Sequence, residues 1–373
     1  MKNTILVSTR YSIEPTLKLL FDDFYMIDSR NMVIPNEKLD NSIREHINKL
    51  TKQFSILGSS GKFPNDFDSV AAGVTSIFDE IAFRCIKTIA IITCIKTNIT
   101  GVLLNSWGGA EEIAMYAWAN NNNVPTILMG NGIWPKYYNK EKNYLGLCPA
   151  KYIFCVSEYT RDLFKGFGYD NNKLIITGLP YFDIYNTIIR KKKDDKKVVL
   201  CGFDIEAYYS YKLDKWIPDK FPLFLDKYYY LYEIAESMPD FEFWWLSKPW
   251  GTLDNNLLKD IPLNVKVYDK KTFWHTLIDK ADVALCFPRS TIVMESLLVG
   301  IPTVIAKLDP APWDFLDANV TEVDWEVDKV CDAIREAYGR EDKGIEFRNR
   351  YFSHNQDGKA AERVANEVRR ICE

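Results

Sequence analysis

Residues 284 to 306 contain the polar side chains whose types and spacing best fit a binding chemistry. They read ALCFPRSTIVMESLLVGIPTVIA. The apolar run ending at Phe287 predicts a buried parallel strand. A polar turn, Pro288–Thr291, precedes apolar residues at helical spacing, which Gly300 and Pro302 end. Such a turn presents backbone N–H groups, two hydroxyls and a guanidinium at a helix N-terminus, and these groups bind anions.

A carboxylate follows this turn closely enough to contact the same ligand. Glu295 lies one helical turn beyond Thr291, on the same face of the predicted helix. An anion site at the end of a strand, with a carboxylate nearby to accept hydroxyls, suits a sugar nucleotide. The simpler alternative is a capped helix in an ordinary α/β core, with Ser290 or Thr291 as the N-cap.

Strands and helices alternate along the chain around this segment. Strands are predicted at 5–8, 102–106, 125–129, 152–157 and 174–178, and again at 198–203, 241–247, 265–269, 282–287 and 303–306. Intervening helices, such as one at 110–120, imply parallel sheets with right-handed crossovers. The charged run RKKKDDKK at 190–197 predicts a linker between two domains, and ligands of such sheets bind beyond the carboxyl ends of the strands.

Composition narrows the class of protein. A chain of 373 residues exceeds one typical core, and a net charge of −4 gives no support for nucleic-acid binding. The eight cysteines are scattered without a CxxC pair, which predicts reduced core residues of a cytoplasmic protein and argues against disulfides or zinc. The apolar segment 86–95 is too short to cross a bilayer, whereas peripheral membrane association stays open.

Four segments together resemble the GT-B superfamily of nucleotide-sugar glycosyltransferases. They are VPTILMGNG (124–132), VSEYTRDLFKGFGYDNNKLIITGLPYFD (156–183), RSTIVMESLLVGIPTVI (289–305) and DGKAAERVANEV (357–368). The resemblance is to the branch with capsule and surface-polysaccharide transferases, CDP-glycerol glycerophosphotransferases and non-hydrolysing UDP-N-acetylglucosamine 2-epimerases. It covers most of residues 100 to 373, in order and spacing.

The resemblance implies a fold of the α/β class. Two Rossmann-like, doubly wound parallel-sheet domains would face each other across a cleft. Residues 1–185 would form the acceptor-side domain and residues 186–356 the domain that binds the nucleotide-sugar donor. The closing helix, 357–373, would cross back to complete the first domain.

The resemblance also implies a donor site. Its predicted residues are Gly202, Phe203, Lys248, Arg289, Ser290, Thr291 and Glu295. The serine–threonine pair would hold the diphosphate, Arg289 would pair with phosphate oxygens and Glu295 would accept the ribose hydroxyls. Lys248, just past a strand, would neutralise the departing nucleotide, and Gly202 before Phe203 would let a ligand approach the backbone. Alternatively, Arg289 and Glu295 are surface side chains and Gly202 is a turn glycine.

The acceptor side offers carboxylates rather than histidines. An inverting transferase needs a general base in the first domain, and Glu111 and Glu14 are the candidates because each follows a predicted strand. Acidic residues also favour a first helical turn for electrostatic reasons, and a retaining enzyme would need no such base. The four residues Gly109, Gly130, Asn131 and Gly132 are predicted to line the cleft. His275 is predicted to be structural, in a helix.

Several functions are therefore compared. The first is a glycosyltransferase of surface-glycan biosynthesis, with a UDP-, CMP- or GDP-linked sugar as substrate, a saccharide or lipid-linked acceptor and no cofactor. No DxD-like pair ends a strand, so we expect a metal-independent reaction. The alternatives are a 2-epimerase, although NSWGGAEE lacks the histidine–glycine–aspartate run of those enzymes, a CDP-glycerol-type phosphotransferase, and a non-catalytic binding protein. Oligomeric state stays open. For the aromatic-rich segment 203–250 two interpretations stay open: an inserted helix that packs on the second domain, and a surface role as a lid over the donor base, an acceptor platform or a subunit contact.

Overall fold

The chain divides into two compact units, each described here by itself. The first contains Met1–Ile133, Lys140–Tyr181 and Lys359–Glu373, and the second contains Trp134–Asn139 and Phe182–Gly358. The computed structural model describes residues 3–7, 14–28, 98–105, 110–130, 148–189, 196–202, 207–210, 215–218, 230–246, 260–268, 272–286, 291–307, 320–342 and 344–373, with single residues between 85 and 93.

Strands and helices alternate in both units. The strands are β1 (Asn3–Val7), β2 (Phe24–Asp28), β3 (Ile99–Leu104), β4 (Thr126–Met129), β5 (Tyr152–Cys155), β6 (Leu174–Ile176), β7 (Lys197–Gly202), β8 (Ala207–Ser210), β9 (Lys215–Pro218), β10 (Phe241–Leu246), β11 (Val265–Tyr268), β12 (Val283–Cys286), β13 (Thr303–Lys307) and β14 (Val320–Asp324). The α-helices are α1 (Glu14–Leu20), α2 (Ala110–Asn121), α3 (Glu158–Gly166), α4 (Thr291–Val299), α5 (Val327–Ala337), α6 (Ile345–Tyr351) and α7 (Ala360–Cys372), with further helical residues at 230–236.

The first unit is built on a six-stranded sheet of order β2-β1-β3-β4-β5-β6. Every neighbouring pair in it is parallel. Its inner strands are mostly buried and mainly apolar, as expected when helices cover both faces of such a sheet. The direction of winding reverses between β1 and β3, which makes the carboxyl ends of these two strands the switch point of this unit.

The second unit has a six-stranded parallel sheet of order β11-β10-β7-β12-β13-β14. Counted within the unit, this is the 3-2-1-4-5-6 order of dinucleotide-binding sheets, and its switch point lies between β7 and β12. The core beneath includes Phe243 and Trp245, neither of which is exposed to solvent. Burial of such aromatic side chains supplies much of the stabilisation of a domain.

The last helix, α7, belongs to the first unit and packs on α1. Arg369 donates from Nε to Asp23 at 2.7 Å and from Nη2 to the Leu19 carbonyl at 2.8 Å. On β3, a Cβ at Gly101 would lie 2.2 Å from Cys372 Sγ, so only glycine lets the helix approach this strand. A charged pair and close packing therefore fix α7 in this unit.

The predicted α/β class, with two Rossmann-like parallel sheets, is confirmed. Three features were not predicted from the sequence. The first two are the strands β2 and β14, which are outermost in their sheets and mostly half-buried, so they lack a continuous apolar run. The third lies in the aromatic-rich segment, for which an inserted helix and a surface role were both open. There β8 and β9 form an antiparallel hairpin before the helical residues 230–236.

Other sequence predictions concern cysteines, membranes and the linker. Seven cysteines lie among the described residues and all are free thiols. No described helix is long and apolar enough to cross a bilayer. Within the described ranges, no three His, Cys, Asp or Glu side chains are grouped so that they could hold a metal ion. Most of the charged run, residues 190–195, lies outside the described residues, and Lys197 begins β7.

Candidate functional site

The candidate site lies at the carboxyl edge of the second unit's sheet. At this edge β7 ends with Gly202, which pairs with Leu246 of β10 on one side and Cys286 of β12 on the other. Winding reverses between β7 and β12, so the helices that follow these strands leave opposite faces of the sheet and open a crevice between them. The end of β7 is therefore where a ligand of this unit is expected.

The first turn of α4 lies against this end of β7. A Cβ on Gly202 would lie 2.5 Å from Ile292 Cδ1 and 3.2 Å from the indole ring of Trp274. Ile292 is the second residue of α4, so the missing side chain lets the helix N-terminus approach the switch point. The first backbone N–H groups of a helix have no intrahelical partner, and together with the helix dipole they favour an anion there.

The other end of α4 is fixed by a Schellman motif. Ile301 donates its N–H to the Ser296 carbonyl at 3.0 Å, and Gly300, at φ +77°, donates to Leu297 at 3.2 Å. Arg348 adds a cation at this helix end, donating from Nη1 to the same Leu297 carbonyl at 3.1 Å. Asp342 pairs with that guanidinium, at 2.8 Å from Nη2. Both termini of α4 are therefore held by specific contacts.

One turn into α4, Glu295 is a buried carboxylate with an identified partner. It is 3% exposed, as is Tyr185, whose hydroxyl donates a short hydrogen bond to Glu295 Oε2. Tyr185 comes from the 3-10 helix Pro180–Thr187 and stands 110 residues before Glu295. An ionised carboxylate in an apolar interior is costly unless hydrogen-bonded, so this contact stabilises and orients Glu295.

Aromatic rings surround this hydrogen bond. The Tyr185 ring meets His275 edge-on at 6.4 Å and Phe182 at 6.1 Å, and Phe273 stacks on His275 at 5.5 Å. Burial lowers the pKa of His275 below its usual value, so the ring is neutral at pH 7. His275 Nδ1 is buried and has no hydrogen-bond partner among the residues that the structure describes. The predicted helix at His275 is a single 3-10 turn, Trp274–Thr276.

Two thiols lie at the ends of the switch strands. Cys201 and Cys286 are 0% exposed, and burial raises the pKa of each well above the ordinary value. A buried, protonated thiol is a poor nucleophile, since the thiolate is the reactive form. These cysteines therefore act as core residues.

The structure describes part of the predicted donor site. It brings Gly202 and the helix that carries Glu295 together at one edge of the sheet, through the contact with Ile292. Thr291 begins α4, and its side chain is not among those described. The predicted residues Phe203, Lys248, Arg289 and Ser290 lie outside the described residues.

The acceptor-side candidates belong to the first unit. Glu14 begins α1 and Glu111 is the second residue of α2, and these helices follow β1 and β3, the two strands of that unit's switch point. Glu14 forms an exposed ion pair with Lys18 at 2.9 Å, whereas Glu111 is half-buried. Gly130 follows β4 and is buried. The predictions at Gly109, Asn131 and Gly132 fall outside the described residues.

Sequence reasoning did not single out Tyr185 or Trp274. Tyr185 ends the stretch GLPYFDIY, where it follows no recognisable motif, and its partner is far away in the chain. Trp274 stands next to the histidine that was considered, yet its contact with Gly202 exists only in the folded unit. Both are aromatic residues next to a connection between secondary-structure elements. That pattern is too common in sequences to have identified either residue.

Comparison with known proteins yields structural matches alone. No protein-family model matches the sequence. No curated protein matches it.

Solved structures match over almost the whole chain. The UDP-GlcNAc 2-epimerase from Methanocaldococcus jannaschii, in complex with UDP-GlcNAc and UDP, is 14% identical, with 98% of this chain and 100% of that chain covered and a TM-score of 0.58. The UDP-GlcNAc 2-epimerase from Neisseria meningitidis bound to UDP-GlcNAc is 14% identical over 99% of this chain and 100% of that chain, with a TM-score of 0.54. The glycotransferase of kitacinnamycin is 12% identical over 100% of this chain and 98% of that chain, with a TM-score of 0.56.

Identities of 12–14% establish a common fold and no more. The strand orders of both sheets agree with that conclusion, since each is a doubly wound parallel sheet. The chain therefore has the GT-B fold, with two Rossmann-like α/β units in one polypeptide.

Proposed function

We propose that the chain is a glycosyltransferase that binds a nucleotide-sugar donor at the carboxyl edge of the second unit's sheet. One observation carries the proposal. The N-terminal turn of α4 lies against the end of the switch strand at Gly202, and a buried, oriented carboxylate, Glu295, follows one turn later. An anion-favouring helix end and a hydroxyl acceptor at this spacing match the diphosphate and ribose of one ligand.

The donor would be held by complementary charges. Helix N–H groups and the hydroxyls of Ser290 and Thr291 would bind the diphosphate, while Glu295 would accept the ribose hydroxyls. Two of the structural neighbours are described as bound to UDP-GlcNAc, which supports a ligand of this class. The donor is proposed to be a sugar linked to UDP, CMP or GDP.

Catalysis would rest on alignment and on stabilisation of the leaving nucleotide. Breaking the glycosidic bond leaves negative charge on the diphosphate, and positioned cations and helix N–H groups stabilise that charge in the transition state. From the sequence, Lys248 and Arg289 would provide the cations. Glu111 and Glu14 are the proposed bases on the acceptor side; Glu111 is half-buried, and Glu14 pairs with Lys18 in solvent.

A 2-epimerase acting on a UDP-sugar is the second candidate. It is favoured by the structural neighbours, several of which are described as UDP-GlcNAc 2-epimerases. The sequence NSWGGAEE in the first unit, without a histidine–glycine–aspartate run, favours the transferase instead. Both candidates require the same nucleotide site, so product analysis has to separate them.

Calorimetry with UDP, GDP, CMP, CDP and dTDP tests the nucleotide site. We expect one nucleotide to bind clearly best, and Glu295→Gln to weaken it about tenfold or more, since hydrogen bonds to charged groups contribute about 1.5–3 kcal/mol. Glu336→Gln is the matched control, because Glu336 is an exposed helix carboxylate of the same unit, paired with Arg340. Binding of no nucleotide, or equal affinity in wild type and Glu295→Gln, would contradict the proposed site.

Incubation with the corresponding nucleotide sugars then identifies the reaction. A transferase releases some free nucleotide by slow hydrolysis of its donor, whereas an epimerase converts UDP-GlcNAc to its 2-epimer with the nucleotide still attached. Chromatography of the nucleotides and proton NMR of the sugar distinguish these products. Transfer of glycerol phosphate from CDP-glycerol would identify the phosphotransferase, and tight binding without any product would identify a non-catalytic binding protein.

A further inference from the structure

We propose that Tyr185 is a positioning residue that holds Glu295 in the orientation that selects a ribonucleotide over a deoxyribonucleotide. The inference rests on the proposed donor site and adds a residue to it. Tyr185 has no place among the residues predicted from the sequence, and it would act on the ligand only through Glu295.

The first step is the hydrogen bond itself. The Tyr185 hydroxyl donates to Glu295 Oε2, and both side chains are 3% exposed. A carboxylate side chain on a helix can rotate about its terminal bonds, and the terminal torsion has broad preferences. A donor fixed to one oxygen removes that freedom and sets the plane of the carboxylate. The direction from which a second hydroxyl can approach is then set as well.

The second step is that the donor is itself immobile. The Tyr185 ring packs edge-on against Phe182 at 6.1 Å and His275 at 6.4 Å, and Phe182 in turn packs on Phe352 at 5.2 Å. The 3-10 helix that carries Tyr185 is also tied down by Asn186, whose side-chain amide donates to the Asn355 carbonyl. The hydroxyl position is therefore determined by packing rather than by a solvent-exposed rotamer.

The third step concerns what an oriented carboxylate recognises. The 2′- and 3′-hydroxyls of a ribose are neighbouring donors in a fixed geometry, and a carboxylate accepts both only when its plane matches theirs. A site built to bind a hydroxyl discriminates strongly against the analogue without it, because a buried acceptor is left unpaired. Without the Tyr185 hydroxyl, Glu295 would lose this match and with it most of the discrimination.

The experiment compares the affinities for UDP and 2′-deoxy-UDP, or for the equivalent pair of the preferred nucleotide, by calorimetry. In the wild type, we expect UDP to bind about tenfold or more tightly than 2′-deoxy-UDP. In Tyr185→Phe, which removes a single oxygen atom, the ratio of the affinity for UDP to the affinity for 2′-deoxy-UDP should fall at least about threefold. Tyr232→Phe is the matched control, since it removes the hydroxyl of another buried tyrosine of the unit, in the helical segment 230–236. The ratio should be unchanged in that variant.

A double-mutant cycle separates positioning from general loosening of the fold. If Tyr185 acts through Glu295, Tyr185→Phe changes the ratio in the wild type and leaves it unchanged in the Glu295→Ala background, where the Tyr185 hydroxyl has no acceptor at position 295. Equal changes in both backgrounds, or an unchanged ratio in Tyr185→Phe, would overturn the inference. Should the single variant fail to fold because a buried carboxylate loses this hydrogen bond, Tyr185→Phe/Glu295→Ala removes that charge. Its ratio must then equal that of Glu295→Ala, and a difference between the two would overturn the inference.

The two proposals fail in different ways. If wild-type protein binds no nucleotide, the donor site is wrong and the role of Tyr185 falls with it. If the wild type binds UDP and Glu295→Gln weakens that binding, but Tyr185→Phe discriminates as the wild type does, the donor site stands. Only the positioning role is then rejected.

Discussion

At the scale of single residues, the environment of His275 makes the stability of the second unit depend on pH. The imidazole stacks on Phe273, meets the Tyr185 ring edge-on, and has its Nδ1 buried. Burial disfavours the charged form, which lowers its pKa in the folded unit. In the unfolded chain the same ring titrates near its ordinary value of 6.5. The folded state therefore binds fewer protons just below that pH.

We predict that this difference makes the second unit less stable in acid. Stability due to neutral His275 is complete above about pH 6.5 and decreases as the pH falls below it, because the unfolded chain takes up the proton first. Between pH 7.5 and 5.5, the melting temperature should therefore fall less in His275→Gln than in the wild type. His354→Gln is the matched control, a histidine of the same unit beside Ser353. Identical acid sensitivity of wild type and His275→Gln would contradict the prediction.

The contacts of a site residue could be predicted from the sequence only where its partners lie close to it in the chain. Helical spacing placed Glu295 one turn after Thr291, and that placement is confirmed by α4. The partner of Glu295 could not be predicted, because Tyr185 is 110 residues away and only the fold of the second unit brings the two together. The same reason applies to Trp274 beside Gly202. The predicted ligand roles of Glu295 and Gly202 stay predictions.

At the scale of elements, α4 is held more firmly at its C-terminal end than its sequence suggests. The positive φ of Gly300 belongs to its Schellman motif, and Asp342 lies directly against that glycine. Asp342 is itself held by Arg348, which bonds the last turn of the helix, and by the Gly344 N–H at 2.8 Å. This arrangement fixes the axis of α4 and hence where its N-terminus meets β7.

A pair of glycine substitutions tests this arrangement. Gly300→Ala should destabilise the second unit by at least about 2 kcal/mol, for two reasons. A Cβ would lie 2.3 Å from Asp342 Oδ2, and a residue with a side chain is strained at this positive φ. Gly339→Ala is the matched control, with φ +79° and no atom within 4 Å of its Cβ, and should cost about 1 kcal/mol. Urea unfolding measures both losses. Equal losses would mean that Asp342 moves aside freely.

Most of the strands predicted correctly are inner strands buried on both faces. The strands β3, β7, β10 and β12 have apolar runs because helices cover each side of a parallel sheet. The outer strands β2 and β14 lack that signal because half of their surface is exposed. The hairpin of β8 and β9 was missed for another reason. Its aromatic residues suit a packed helix as well as a strand, and the choice depends on the rest of the unit.

At the scale of the whole molecule, each unit has its own doubly wound sheet and its own switch point. In the first unit the switch lies between β1 and β3, whose following helices carry Glu14 and Glu111. In the second it lies between β7 and β12, whose surroundings carry Gly202 and Glu295. Ligands of doubly wound sheets bind beyond the carboxyl ends of the strands at the switch point, and each unit has one such edge. Because the proposed donor residues Gly202 and Glu295 belong to the second unit, we propose that the nucleotide binds there.

Hydrogen exchange measured by mass spectrometry tests whether the nucleotide binds the second unit. With saturating UDP, or whichever nucleotide binds best, exchange should slow most in peptides covering 197–202 and 291–299. The first N–H groups of α4 lack intrahelical partners and would gain them from the diphosphate. Peptides covering 99–104 and 126–129 in the first unit serve as the internal reference and should change least. Glu295→Gln at the same total nucleotide concentration should reduce the protection, because less of the protein is bound. Protection centred on the first-unit peptides would instead place the nucleotide beside Glu14 and Glu111 and reverse the proposed roles of the two sheets.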